Sequence, residues 1–363
     1  MKLQVTQENL NKALSTVARI ANARGTLPVL ANVLIKTVNG RLSIAATNLD
    51  VATTHYIGAK IAEEGSITVP ARLMQDFVNS LPSTVIDLDL DEFRLHIATD
   101  QYQSVINGVS AEEFPVMPAI ENGKSWTVPG PQLKKSLQQV VMAASTDEAR
   151  PVLTGILLHT NEGKLFMAAT DSYRLAEKQL GPNAEEINLL VPVSAMQDVL
   201  RIVSDFEGDV TVSNDEQQIS FQIGDVELVA RLIEGKYPDY RKLIPQGFET
   251  TANLKRADLL NVTKVSSLFA RESAGSITIH VDETTQSLSI RSVASQLGEN
   301  TAKADAKVKG TGVITLNSRY LLDALHALSG DDVLFAFNGK LEPTVIRDPS
   351  VEDYTHIIMP LKS

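Results

Sequence analysis

The chain has 363 residues, no cysteine and a formal net charge of −11 at pH 7. The absence of cysteine excludes disulfides and thiolate metal sites. The sequence also lacks an apolar run of about 18 residues, which a membrane-spanning helix would require. The acidic balance argues at first against nucleic acid as a partner. Length and composition predict a cytoplasmic protein of two or three globular domains, without a cofactor.

The first predicted element is an amphipathic helix, because Leu10, Leu14 and Val17 recur at spacings of four and three residues. A hairpin follows in "VLIKTVNGRLSIA", with Asn39-Gly40 as its turn. A further strand leads to Pro70, which suits the first turn of a second helix. Period-two strands follow in "VIDLDLDEFRLHIA" and "SVINGV". Two helices against a sheet make an α+β unit.

The same order of elements returns 123 residues later. The segments "PVLANVLIKTVNGRLSIAATN" at 28–48 and "PVLTGILLHTNEGKLFMAATD" at 151–171 share 10 of 21 residues without a gap. A weaker third copy includes "TLNSRYLLDAL" from Thr315. The repeat therefore predicts three domains, at residues 1–122, 123–248 and 249–363.

Six helices are predicted, two in each domain, and they hold 12 basic and five acidic residues. The net charge of these helices is therefore +7, and the rest of the chain carries a net charge of −18. A solvated helix surface would explain any single lysine. The repeated basic layer favours contact with the phosphates of a polyanion, without sequence-specific contacts to bases. The predicted helices are 7–24, 70–81, 129–144, 192–204, 255–271 and 317–328.

The sequence contains no recognised catalytic constellation. It has no His-Glu-x-x-His motif, no phosphate-binding loop and no Gly-x-Ser-x-Gly elbow. The stretch "DLDLDEF" from Asp87 places acids on alternate strand residues, which could serve hydrolysis or metal binding, but a solvent-facing strand edge is the favoured interpretation. Two other functions stay open: a repeated α+β hydrolase that uses these acids, and a scaffold protein without DNA.

Several motifs together resemble one family along the whole chain. They are "TLPVL" at 26–30, "VPAR" at 69–72, "ATDSYRLA" at 169–176, "YPDYRKLIP" at 237–245 and the terminal "IIMPLKS". In this order the chain resembles the bacterial DNA polymerase III β subunits, the sliding clamps. The resemblance implies a head-to-tail homodimer, a six-domain ring with sheets outside and helices lining a channel for duplex DNA. It also implies a non-catalytic processivity factor that tethers the polymerase α subunit, the clamp loader and other clamp-motif proteins.

The resemblance implies that Arg24 and Arg72 face DNA, and the repeat adds Lys12 and Arg319. Where some relatives carry basic residues after the second "VP", this chain has Val193 and Ser194, so contact there is expected to be weaker. The other basic helix residues of the predicted DNA surface are Lys134, Lys135, Arg201 and Lys264.

The resemblance also implies a pocket between domains two and three that binds short linear peptides from partner proteins. Leu153, Leu175, Leu243 and Met359 would form its apolar floor, and Thr170 and Arg174 would hold the peptide at the rim. The terminal "HIIMPL" would be a docked tail; the residues alone favour a buried last strand. The full predicted set is Arg150, Leu153, Thr170, Ser172, Tyr173, Arg174, Leu175, Pro238, Lys242, Leu243, Ile357, Met359 and Leu361.

Two features of these segments affect specificity and assembly. Some relatives have Gly-His where this chain has Ser172-Tyr173, so peptide preference is expected to differ. For the dimer, the resemblance implies that a strand edge in domain one meets the Leu268-Phe269 region and its following strand in the partner. The predicted interface residues are Tyr102, Ser104, Ile106, Leu268, Phe269 and Ile277.

Overall fold

The computed structural model describes residues 1–21, 27–115, 120, 123–296 and 298–362. In these residues the chain forms six α-helices and 26 β-strands, numbered here in chain order. The helices are α1 Gln7–Val17, α2 Ala71–Ser80, α3 Gly130–Val140, α4 Val193–Ile202, α5 Arg256–Phe269 and α6 Ser318–Ala327. The strands are β1 Lys2–Thr6, β2 Asn32–Val38, β3 Arg41–Thr47, β4 Val51–Ile57, β5 Lys60–Glu63, β6 Ser66–Pro70, β7 Val85–Asp91, β8 Arg94–Ala98, β9 Gln103–Asn107, β10 Lys124–Pro129, β11 Gly155–Asn161, β12 Lys164–Thr170, β13 Arg174–Pro182, β14 Asn188–Pro192, β15 Asp209–Asn214, β16 Gln218–Ile223, β17 Val226–Arg231, β18 Thr250–Lys255, β19 Ser276–Asp282, β20 Ser287–Ala294, β21 Gly298–Asp305, β22 Lys307–Lys309, β23 Gly312–Asn317, β24 Asp332–Phe337, β25 Thr344–Arg347 and β26 Tyr354–Ile358.

The α+β class and the six predicted helices are confirmed, although the predicted helices are longer than those observed. Helix α1 begins after Thr6, whose hydroxyl accepts a hydrogen bond from the Asn9 amide at 3.4 Å. Its predicted apolar face, including Leu10 and Leu14, is fully buried. The helix ends at Val17 rather than at 24.

The chain divides into two compact units, Met1–Pro131 with Asp198–Leu232, and Gln132–Gln197 with Ile233–Ser363. Residues 123–248, one predicted domain, therefore contribute to both units. The first unit contains a five-stranded sheet of order β5-β1-β7-β8-β9 and an eight-stranded sheet of order β10-β15-β16-β17-β4-β3-β2-β6. Helix α1 packs against α2 and against strands β3 and β4.

The second unit contains a nine-stranded sheet of order β14-β11-β12-β13-β26-β25-β24-β18-β22 and a four-stranded sheet of order β21-β20-β19-β23. Helix α5 packs on strands β20 and β21 and against α6. The sequence "HIIMPL" takes both predicted forms. Strand β26 is buried between β13 and β25, and residues 359–361 continue beyond it as a tail.

The predicted hairpin turn is confirmed, and its counterpart adopts the same conformation. Asn39 and Gly40 have φ values of 49° and 75°, and Glu162 and Gly163 have values of 51° and 71°. Positive φ at both central residues is the type I′ pattern that matches strand twist. The repeat in sequence is therefore also a repeat in backbone conformation.

The acidic strand lies differently from the prediction. Strand β7 is an inner strand between β1 and β8, so its acids lie on an exposed face and not at a sheet edge. Asp89 pairs with Lys2 at 3.0 Å, and Asp87 accepts a hydrogen bond from Gln4 at 2.8 Å. These carboxylates serve cross-strand pairing.

Candidate functional site

The stretch "ATDSYRL" forms a tight turn between β12 and β13. The Thr170 hydroxyl donates to the carbonyl of Arg174 at 2.6 Å and accepts from the Ser172 amide at 3.1 Å. Asp171 Oδ1 accepts from the amides of Tyr173 and Arg174, both at 2.9 Å. Ser172 has a φ of 77°, in the left-handed region. Short polar side chains therefore fold this turn by bonding to its own backbone.

The first copy of the repeat builds the same turn. The Thr47 hydroxyl donates to the carbonyl of Val51 at 3.0 Å, and Asn48 Oδ1 accepts from the amides of Asp50 and Val51 at 3.1 and 2.8 Å. Leu49 has a φ of 79°. Thr170 and Asp171 Oδ1 therefore have the same structural role as Thr47 and Asn48, and the residues that differ between the copies carry any special use.

Arg174 is held inside the unit. Its Nε lies 3.1 Å from Asp171 Oδ2, and its Nη1 lies 2.5 Å from Asp323 Oδ2 on α6. The guanidinium also lies 4.5 Å from the centroid of the Tyr320 ring, a cation–π contact. Its side chain is only 10% exposed. Thr170 is buried too, so both side chains have internal partners where the sequence predicts rim groups.

Below the turn lies an apolar cluster that contains three of the predicted pocket residues. Leu153, Leu175 and Ile357 are at most 4% exposed and belong to this cluster, together with Tyr237. Leu175 and Ile357 are paired across β13 and β26. The Tyr237 hydroxyl accepts a hydrogen bond from the Thr170 amide at 2.9 Å. The structure therefore joins residues that lie far apart in the chain into one floor.

Two large apolar side chains of the predicted site are exposed, Tyr173 at 59% and Leu243 at 46%. Leu243 is therefore not part of the buried floor. Lys242 is exposed and pairs with Asp239 at 2.7 Å. Exposed apolar groups next to polar ones are a common feature of protein interaction sites.

The other predicted pocket residues have identifiable places. Arg150 Nη1 donates to the Ser172 hydroxyl at 3.0 Å, while Pro238 is exposed. The Met359 amide donates to the Tyr173 carbonyl at 2.8 Å, and the Leu361 amide donates to the Thr315 carbonyl at 2.8 Å. The tail is thus fixed by backbone hydrogen bonds, and Met359 and Leu361 remain partly exposed.

Sequence reasoning missed the polar network that supports residues 237–243. The Tyr240 hydroxyl donates to Glu177 Oε2 and lies 2.6 Å from His159 Nε2. Arg241 pairs with Glu177 at 3.2 Å and lies 4.2 Å from the centroid of the Phe166 ring. Burial is the main cause that raises the pKa of Tyr240 and lowers the pKa of His159. These partners come from separate strands, so local sequence gives no signal for them.

Tyr237 is also absent from the predicted pocket residues, although the sequence contains a feature that distinguishes it. The repeat aligns Tyr237 with Phe114, and only the tyrosine has a hydroxyl. That hydroxyl is the group that holds the Thr170 amide. A polar atom gained in one copy of a repeat could therefore have indicated the specialised copy.

The described residues of the predicted DNA surface lie on helices. Arg24 lies in the segment 22–26, which is outside the described residues. Lys134 is half-buried, and Arg201 pairs with Asp198 at 2.7 Å. The exposed residues of the predicted set are Lys12, Arg72, Lys135, Arg201, Lys264 and Arg319.

The predicted dimer residues divide into exposed and buried ones. Strand β9 is an edge strand, and Tyr102 just before it is 46% exposed. Leu268 on α5 is 49% exposed. Ile277 is fully buried, and its strand β19 lies between β20 and β23, so its side chain is not available for the predicted contact. The exposed edge next to α5 is β21.

Ile106, Ser104 and Phe269 complete the predicted interface set. Ile106 is only 5% exposed, whereas Ser104 and Phe269 are partly exposed. The described residues contain no group of three or more His, Asp or Glu side chains placed to hold a metal ion. No helix in the described part of the chain has the length and apolarity needed to cross a membrane.

Comparison with known proteins gives matches along the whole chain. Models of the DNA polymerase III beta subunit match its N-terminal domain at residues 1–118, its central domain at 127–239 and its C-terminal domain at 241–362. Among curated proteins, the beta sliding clamp of Synechococcus elongatus is 31% identical, with 100% of this chain and 99% of that protein covered. The beta sliding clamp of Bacillus subtilis is 28% identical, with both chains covered in full.

Solved structures give the same result at the level of the fold. The DNA polymerase sliding clamp from Bacillus subtilis has a TM-score of 0.96 at 27% identity, covering 100% of this chain and 99% of that chain. The DnaN sliding clamp from Bartonella birtlesii bound to griselimycin also has a TM-score of 0.96, at 28% identity with both chains covered in full.

Proposed function

The chain belongs to the DNA polymerase III β subunit family, and on that basis we propose that it is a sliding clamp that encircles duplex DNA and tethers a DNA polymerase. The observation that carries the proposal is the match of all three family domains along the chain. The clamp carries out no chemical step itself. It raises processivity by keeping the polymerase on its template, in the cytoplasm. The proposed domains are 1–122, 123–248 and 249–363.

The proposed contact with DNA is loose and independent of sequence. Basic side chains on one layer of helices attract phosphates, and a clamp that must slide has no need of base contacts. Six residues of the predicted set are exposed in the described structure, which supports their access to DNA. We include Lys134 and Arg24 in the proposed surface from the sequence alone.

The proposed partner site is the surface over the cluster of Leu153, Leu175 and Ile357. Its occupant is a short linear peptide with leucine and phenylalanine side chains, carried by the polymerase, the clamp loader and other clamp-binding proteins. Burial of one such side chain contributes roughly 1.5–3 kcal/mol. Tyr173, Leu243 and the partly exposed Met359 are available to contact it. Thr170 and Arg174 act as positioning residues, because their polar groups already have partners.

The proposed ring is a head-to-tail homodimer closed by strand edges. Strand β9 presents one unpaired edge and β21 another, within the described residues. Pairing of β9 from one protomer with β21 of its partner would cover both edges. In this arrangement Leu268 and Phe269 contact the partner, and Ile277 stays in the core. Heterologous contacts of this kind close into rings when the rotation permits.

A primer-extension assay with polymerase and clamp loader tests the proposed function. Addition of this chain should lengthen the products made in a single binding event on singly primed circular DNA. The matched variant is Leu243→Ser, which should lose the gain in product length, because both the clamp loader and the polymerase use the proposed peptide site. Products of equal length with and without the wild-type chain would contradict the proposal, provided that the loader and polymerase are active with their own clamp.

A further inference from the structure

In one cavity of the first compact unit, six of the nine described lining residues are basic or carry a hydroxyl group, and Ile20 and Ile202 are among the others. The cavity has a volume of about 300 Å³ and lies between α1 with its following turn and residues 198–202. Lys12 lies on α1 and Arg19 in the turn that follows it, and both residues line the cavity. Ser15 and Thr16 lie between them, and Arg201 lines the opposite wall. Cations that flank hydroxyl groups form a donor set suited to phosphate oxygens.

The charges of this cavity are incompletely balanced. Lys12 and Arg19 form no ion pair within the described part of the chain, while Arg201 pairs with Asp198 at 2.7 Å. Among the described residues that line the cavity, Asp198 is the one acidic residue. Burial raises its pKa, although Arg201 and Arg19 act in the opposite direction. Three cations against one carboxylate leave an excess of positive charge that attracts an anion.

The floor of the cavity provides a second observation. Thr53 of β4 lines the cavity and is fully buried. Its hydroxyl oxygen has no hydrogen-bond partner in the described structure. Buried hydroxyl groups are almost always paired, so an unpaired one below a basic cavity indicates a ligand or a bound water above it.

We propose that this cavity, the α1 cavity, is a seat for one phosphate group of the DNA backbone. The proposal rests on the proposed clamp function and adds a discrete site, including Arg19 and Thr53, to the diffuse helix surface. Lys12, Arg19 and Arg201 are exposed at its mouth. The cavity is open on one side, so it can receive a phosphate that remains part of a DNA strand. A free anion would bind more favourably in a site that encloses it on several sides. Asp198 acts as an internal counter-charge that keeps the affinity low enough for sliding.

The test uses the full-length protein and a fluorescently labelled linear duplex, with anisotropy measured over a series of salt concentrations. Arg19→Gln and Lys12→Gln should each weaken binding roughly two- to fivefold. Each lost phosphate contact should lower the slope of log K against log salt by about 0.9. Asp198→Asn should act in the opposite direction and tighten binding. The matched control is Lys36→Gln, an exposed lysine on β2 outside the cavity, which should bind as the wild type does.

Three outcomes would contradict the proposed phosphate site. They also distinguish failure of this site from failure of the proposed clamp function. Wild-type affinity and slope in all three cavity variants would remove the site but leave the clamp function intact. Thermal stabilisation by inorganic phosphate that depends on Arg19, with DNA binding unchanged by the substitution, would assign the cavity to a free anion. Failure of the wild type both to bind duplex and to raise processivity would overturn the clamp function and the seat together.

Discussion

Two leucines of the proposed peptide site differ in how much they contribute to the fold. Leu175 is 2% exposed inside the apolar cluster, whereas Leu243 is 46% exposed. Leu175→Ala should lower the free energy of unfolding by about 2–5 kcal/mol and weaken the site as well. Leu243→Ser should change that free energy by no more than about 0.5 kcal/mol yet weaken peptide binding. Urea unfolding, and anisotropy of a labelled Gln-Leu-x-Leu-Phe peptide, measure the two effects.

The control for this comparison is Leu73→Ser, since Leu73 on α2 is 54% exposed and lies in the other compact unit. It should alter neither measurement. A Leu243→Ser variant that binds the peptide as tightly as the wild type would show that the exposed leucine is not part of the site.

A buried histidine predicts how stability depends on pH. His356 is fully buried; its Nδ1 lies 2.9 Å from the Tyr354 hydroxyl, and its Nε2 has no hydrogen-bond partner in the described structure. Burial lowers its pKa from 6.5 to about 3, and the positive charge of Arg174 acts in the same direction. Between these values the unfolded chain binds a proton that the folded chain does not. Stability should therefore fall as pH falls through this window, by up to about 1.4 kcal/mol for each pH unit.

His356→Leu should flatten this dependence, because the substituted side chain takes up no proton. Urea unfolding at about pH 7 and about pH 5 measures it. His55, whose pKa burial lowers to about 4, leaves a remaining slope of the same sign. The exposed His326 provides the control, and His326→Gln should keep the wild-type slope. An equal slope in His356→Leu and the wild type would contradict the prediction.

At the scale of elements, the sequence predicts types and order well and boundaries less well. The Asn39-Gly40 turn, all six helices and the strand pairs around them follow from period and turn chemistry. The end of α1 does not. Its apolar spacing continues to Ala21, and no glycine or proline intervenes before Gly25. Nothing local therefore marks Val17 as the last helical residue.

Strand order inside a sheet is also invisible to local pattern. Ile277 has the alternation of any half-buried strand, and only the sheet order β21-β20-β19-β23 shows that its strand is interior. The sequence does not predict the residues that hold Arg174 in the candidate site, for the same reason. Asp323 and Tyr320 reach Arg174 from a helix nearly 150 residues away along the chain.

The exposed face of α5 predicts how the dimer responds to mutation. Leu268 is 49% exposed, so Leu268→Asp should leave the protomer folded while placing a charge in the proposed interface. We expect a shift from dimer to monomer in sedimentation at micromolar protein. Leu341→Asp is the control, because Leu341 is 67% exposed in a loop of the same unit. An unchanged dimer in Leu268→Asp would remove this contact from the interface.

Over the whole molecule, the observed helices carry a smaller excess of positive charge than the sequence predicts. Within their observed bounds the helices carry eight basic and five acidic residues, because Arg19, Lys255 and Arg271 lie just outside helices and Arg24 lies outside the described residues. Composition and repeat predict three similar domains and a modest positive layer. The prediction of a dimer that closes into a ring comes from the family resemblance, since no local pattern specifies a symmetry between chains.

A weakly attractive lining and a closed ring make different predictions about salt. Direct binding to an open duplex depends on the phosphates neutralised, so it should weaken steeply as salt rises. Retention on closed DNA depends on topology, so it should persist at the same salt. We expect the chain, once loaded on a nicked circular plasmid, to remain with it through gel filtration and to dissociate after a single cut linearises the DNA. Blocking both ends of the cut DNA with bound protein should restore retention. Loss from the intact circle at moderate salt would mean that electrostatics alone holds the protein, and retention on linear DNA with free ends would mean that it does not slide.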